Sequence, residues 1–123
     1  MTLQELYQSI GGDYDQAMRV LRVEKLVDKH IRKFTQNGAV EALLSAGEEL
    51  DATRMFETAH AVKGICGNLG LTELYALAAE LSDEFRPGSA RQLGDDAVAE
   101  KLRRVGEVYR QTAEGIRAYE ENV

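Results

Sequence analysis

Apolar residues recur along almost the whole chain in steps of three and four, the period of an α-helix with one buried face. Little of it alternates in the manner of a half-buried strand. Leu3, Leu6, Tyr7 and Ile10 predict a short first helix, stopped by Gly11 and Gly12. Asp13 with Gln16 three residues on resembles a capping box and opens a second short helix to about Leu21. Val23, Val27, Ile31 and Phe34 mark a longer helix, interrupted by Gln36, Asn37 and Gly38, and Val40, Leu43 and Leu44 continue it for a further helical turn or two. Asp51 is placed to cap a helix reaching Leu69, and Gly70 sits where a C-terminal glycine usually does. The next helix runs from about Leu71 to Phe85, because the residue before Pro87 disfavours helical geometry. Residues 86–94, RPGSARQLG, read as a linker, and Asp95 begins the last helix with a charge suited to its N-terminus.

That last helix repeats Val98, Leu102, Val105, Tyr109, Thr112, Ile116 and Tyr119 in alternating steps of four and three, a heptad-like stripe. The other helices carry matching apolar faces, so the stripe reads as a bundle seam in preference to a dimerising coiled coil, and the protein as a monomer. The predicted fold is all-α: an antiparallel up-and-down four-helix bundle with short extra N-terminal helices. One domain accounts for residues 1–123, with 1–22 as a helical cover and 23–123 as the bundle. A hydrophobic content of 44% excludes a disordered chain, and a formal charge of −6 argues against a nucleic-acid partner. The single cysteine, Cys66, allows no intrachain disulfide. No basic, apolar leader opens the chain, and no apolar run approaches the roughly 18 residues that span a bilayer. A cytoplasmic protein with no membrane partner is expected.

Candidate chemistry changes the picture at one place. Between Glu57 and Leu74 a helical pattern carries Gly64, Gly67 and Gly70 beside His60, one of only two histidines. Each interior glycine costs a helix about 1 kcal/mol relative to alanine. With side chains about 100° apart, Met55, Thr58, Ala59, Val62, Ile65, Cys66 and Leu69 form the core face. Thr53, Phe56, Glu57, Lys63, Gly64 and Gly67 fall within about 60° of His60 on the opposite side. His60 therefore sits in the middle of an exposed face. Glycine there offers missing volume, which lets another protein's backbone approach the imidazole. Lys63 can reach the same ring and stabilise an anion placed on it; the anion that fits is a phosphoryl group. An imidazole with its ordinary pKa of about 6.5 is largely neutral near pH 7, so its lone pair is available for nucleophilic attack.

The string AHAVKGICGNLGL resembles the histidine-containing phosphotransfer (HPt) family, whose signature of histidine, two residues and lysine-glycine, then a glycine near the helix end, is met by His60, Lys63, Gly64 and Gly70. IGGDYDQAMRVLRVEKLVDKHIRKF looks like the N-terminal helices of stand-alone members, and LYALAAELSDEF is similar to the helix beside the active one. The resemblance implies a four-helix bundle with His60 as the phosphorylated residue, exposed midway along one helix. It makes Lys63 the charge partner and Gly64 the clearance, with Glu57 and Gly67 on the same docking face. It further implies a phosphoprotein of a two-component phosphorelay that is not itself an ATP-dependent kinase. Such a protein shuttles a phosphoryl group between receiver-domain aspartates, and its partners are response-regulator receivers, a hybrid histidine kinase, or both. It carries no cofactor of its own, because the Mg²⁺ belongs to the receiver. Members often carry a polar amide on the neighbouring helix, level with the histidine. Here a hairpin turning near Gly70 sets Glu80, Leu81 and Ser82 at that level; Ser82 is shorter than an amide, and Arg86 could lend charge one turn further on.

Other chemistry fits less well. Glu57 and His60 form a single Glu-x-x-His pair facing outward, whereas di-iron bundles use two such pairs facing inward, so no metal site is assigned. His30 borders the Val27–Ile31–Phe34 stripe and reads as a boundary core residue. Cys66 falls on the core face. GICGNLG lacks the preceding strand and the spacing of a dinucleotide fingerprint, and no P-loop is present. The alternative is a non-phosphorylated interaction module that binds or sequesters a receiver or other partner, which would have no need of an imidazole at 60. A domain excised from a larger hybrid kinase is a further alternative; Met1, the N-terminal helices and the long last helix favour a free-standing protein.

Overall fold

A computed structural model describes residues 1–121. The first helix, α1 (Leu3–Ile10), opens on a full capping box: Thr2 Oγ1 accepts from Glu5 N at 3.1 Å, and Thr2 N donates to the Glu5 carboxylate at 2.7 Å. Gly11 ends it in the left-handed region. The second, α2 (Tyr14–Leu21), is capped by Asp13, which accepts from Gln16 N at 2.9 Å. The reciprocal half of the expected capping box is absent, because the Gln16 amide turns away to donate to the Gly67 carbonyl at 3.5 Å.

The third helix, α3 (Glu24–Lys33), tightens into a 3-10 turn at Phe34–Gln36 and ends there. The expected turn or two after Gly38 is a helix in its own right, α4 (Ala39–Glu49). Gly38 makes this possible by taking φ +74°, and Asn37 accepts from Ala39 N at 2.9 Å. After α4, Asp51 caps α5 (Ala52–Leu69), with its carboxylate accepting from Arg54 N at 3.2 Å. Gly70 (φ +67°) and Leu71 turn the chain into α6 (Thr72–Glu84), and α7 (Asp95–Glu121) completes the described chain.

The fold is an all-α bundle. Helices α4, α5, α6 and α7 pack in a ring, with α5 and α6 forming an antiparallel hairpin across the two-residue turn. The α7 stripe lies inside it: Val98, Val105, Thr112, Ile116 and Tyr119 are buried, with Val108, which the stripe omits. Leu102 lies over Gly47 of α4 so closely that a Cβ on that glycine would fall 2.5 Å from its Cδ1. Helix α3 adds Val27 and Ile31 to the core, and the turn after it adds Phe34. His30, expected at the core boundary, is exposed instead, because the inward face of α3 is filled by Val27 and Ile31.

The short N-terminal helices cover one end of the bundle, α1 against α7 and α2 against α5. A helix leaves its last four carbonyls without intrahelical partners, and this cover satisfies two of those of α5. The buried Tyr7 hydroxyl donates to Leu69 O at 2.6 Å, and Gln16 reaches Gly67 O. Just beyond the helix, Asp13 N donates to Gly70 O at 2.8 Å. This approach is why residue 70 bears no side chain: a Cβ would lie 2.1 Å from Asp13 O.

The segment expected to be a linker is tied at its base. The buried Glu84 carboxylate accepts from Arg91 Nε at 2.9 Å and from the backbone N–H groups of Gln92 and Leu93 at 3.0 and 2.8 Å. The Leu93 N–H is the foremost cause holding this carboxyl below its ordinary pKa. Among the described residues no helix is long and apolar enough to cross a membrane.

Candidate functional site

Helix α5 keeps its apolar residues on one face. Met55, Ala59, Val62, Cys66 and Leu69 are buried, while Thr58 and Ile65 lie at the edge of that face. The opposite face turns His60 to solvent midway along the helix. Burial pushes the Cys66 thiol up to about 12, which keeps it protonated and unreactive near neutral pH.

Around His60 the surface forms an open groove of about 550 Å³. Its floor is α5, with His60, Lys63, Gly64 and Gly67; α2 lines it with Gln16 and Val20, and α6 with Tyr75. Lys63 is half-buried and makes no ion pair among the described residues. Its ammonium is thus uncommitted within reach of any anion seated in the groove.

The two helical glycines differ. A Cβ on Gly64 would meet no atom of the described residues within 4 Å, so none of them explains its absence. A Cβ on Gly67 would stand 3.2 Å from the Tyr75 ring, so the bare backbone there accommodates an internal neighbour. Glu57 is exposed on the same side of α5, one turn before His60, but does not line the groove.

The α6 residues expected level with His60 are elsewhere. Ser82 is 1% exposed and its hydroxyl has no hydrogen-bond partner among the described residues. Counting outward from the turn gives its height along the hairpin but not its direction: the inward face of α6 is Leu74, Ala78, Leu81 and Ser82. Arg86 is exposed, pairs with Asp83, and lines a different depression beside Glu80 and Lys101. Neither residue is brought into the groove. Tyr75, which the sequence reading passed over, is: it is an aromatic residue lying outside the apolar stripe of its helix, and it is 41% exposed.

Phe56 also stands out on the structure. Its ring stacks against the His60 imidazole with centroids 5.7 Å apart and planes 20° from parallel. The helical wheel already puts the two side chains on the same face. No group of three or more His, Cys, Asp or Glu among the described residues could hold a metal ion.

The Hpt domain family model matches residues 23–118. No curated protein and no solved structure matches the chain.

Proposed function

The chain belongs to the Hpt domain family, and on that premise we propose that His60 carries a phosphoryl group between receiver-domain aspartates in a two-component phosphorelay. Hpt domains in general are phosphocarriers of two-component signalling and not kinases. The observation that carries the assignment to His60 is its exposed ring beside Lys63, which makes no ion pair among the described residues, and above the open space at Gly64.

In the forward step a ring-nitrogen lone pair of His60 forms the P–N bond while the P–O bond to the receiver's aspartate breaks. The electron pair leaves with the aspartyl carboxylate. The proton on the other ring nitrogen is free to exchange with water, because that ring makes no hydrogen bond among the described residues. The return step reverses these bonds. Phosphoryl transfer depends mainly on positioning and charge neutralisation. Lys63 supplies charge from this side, and the receiver's Mg²⁺ supplies it from the other. Response-regulator receivers, a hybrid histidine kinase, or both are the partners. The protein works in the cytoplasm as a monomer.

Mixing the protein with a labelled, phosphorylated receiver tests the assignment. Wild type takes up label that is acid-labile and base-stable, and His60→Gln takes up none. Equal labelling of the variant would refute it. Tight receiver binding without label on wild type would make the chain a sequestering module.

A further inference from the structure

We propose that Phe56 is a positioning residue that sets the plane of the His60 ring for in-line phosphoryl transfer; this rests on the reading of His60 as the phosphoryl carrier. A helical side chain leans toward the N-terminus, so the residue at i+4 lies over the turn that holds residue i. Phe56 and His60 have this spacing in α5, and their rings meet in an offset stack with centroids 5.7 Å apart and planes within 20°. The separation lies inside the range at which aromatic rings attract.

Among the described residues the Phe56 stack is the one ring contact of the imidazole. The imidazole makes no hydrogen bond and no ion pair among the described residues. Ser82 of α6, expected beside it, is buried in the core. The χ2 torsion of histidine is broad and soft, so an exposed ring with no partner sweeps a wide range of planes. That matters because the nucleophilic lone pair lies in the ring plane, and transfer requires it to point at phosphorus along the line of the leaving bond. Phe56 is suited to hold the plane, because it is itself half-buried and packed against the hydrophobic core. It presents a fixed ledge on which the imidazole rests, on the side away from Gly64, and leaves the groove side open.

Two variants separate positioning from packing. Phe56→Leu keeps apolar bulk and removes the ring; Phe56→Tyr keeps the ring. With a receiver chosen from a panel as the fastest donor, Phe56→Leu should lower the maximal transfer rate about threefold to tenfold, the range that one aromatic pair contributes. The half-saturating receiver concentration should not change, and Phe56→Tyr should restore the rate. With phosphoramidate, a small donor that approaches from any direction, the Leu variant should react within about twofold of wild type. The His60 ring-proton resonances should shift when the Phe56 ring current is removed.

A Leu variant with the wild-type maximal rate would overturn the proposal. So would a loss confined to the half-saturating concentration, an equal loss with phosphoramidate, or unmoved ring-proton resonances. Labelling that persists in His60→Gln would overturn the His60 reading and this proposal together. Labelling confined to His60 with an unchanged Phe56→Leu rate would overturn this proposal alone.

Discussion

Gly64 and Gly67 lie on one side of α5 but answer to different neighbours. Gly67 leaves room for the Tyr75 ring, and Gly64 leaves room for nothing among the described residues. The difference has a measurable consequence. Gly64→Ala should raise stability by up to about 1 kcal/mol, the ordinary helix propensity gain, with no steric charge against it. Gly64→Leu should raise the denaturant midpoint by a similar helix-propensity gain and yet slow transfer from a receiver by about tenfold or more, because the added volume holds the partner off the imidazole. Urea titration and a transfer time course check the two halves separately. The exposure of His60 and the burial of Cys66 are legible from the sequence, since both follow from angle along one helix. Ser82 is not, because its direction depends on how α6 is rotated about its own axis, which counting from a turn leaves free.

At the scale of elements, the N-terminal helices do more than shield apolar surface. They supply hydrogen bonds that the C-terminal end of α5 lacks, from Tyr7 to Leu69 O and from Gln16 to Gly67 O. Tyr7→Phe removes the buried donor and leaves the Leu69 carbonyl without that partner, so the variant should lose about 1–3 kcal/mol. Amide exchange should quicken most in the last turn of α5, which hydrogen-exchange mass spectrometry would show. The helices themselves are legible from apolar spacing and caps: Asp51, Gly70 and Asp95 mark their ends as the structure has them. Two features are not. The full length of α4 depends on Gly38 adopting a left-handed conformation, which restarts a helix after a break that reads as a stop. The Gln16 side chain forgoes the local cap for a carbonyl on another helix, a partner that exists only once the chain has folded.

Over the whole molecule, the connection from α6 to α7 shows how a segment of loop composition becomes structure. Glu84 would not be picked out as special in the sequence, yet its buried carboxylate gathers Arg91, Gln92 and Leu93. These contacts hold its pKa below the ordinary glutamate value. The group is then more easily protonated in the unfolded chain than in the folded one. Its contribution to stability is complete above the ordinary value of about 4.3 and is lost as pH falls through the lower folded value. The difference in thermal midpoint between wild type and Glu84→Gln should therefore be steady near neutral pH and shrink below about pH 4, as melting curves across that range would show. The tie also divides the loop into two unlike halves. Residues 87–90 form an exposed tip with none of the Glu84 contacts, whereas residues 91–93 are held at the base. An engineer splicing a fluorescent reporter into this protein has room between Gly88 and Ser89, and none a few residues later, where the graft would cut the chain from its anchor.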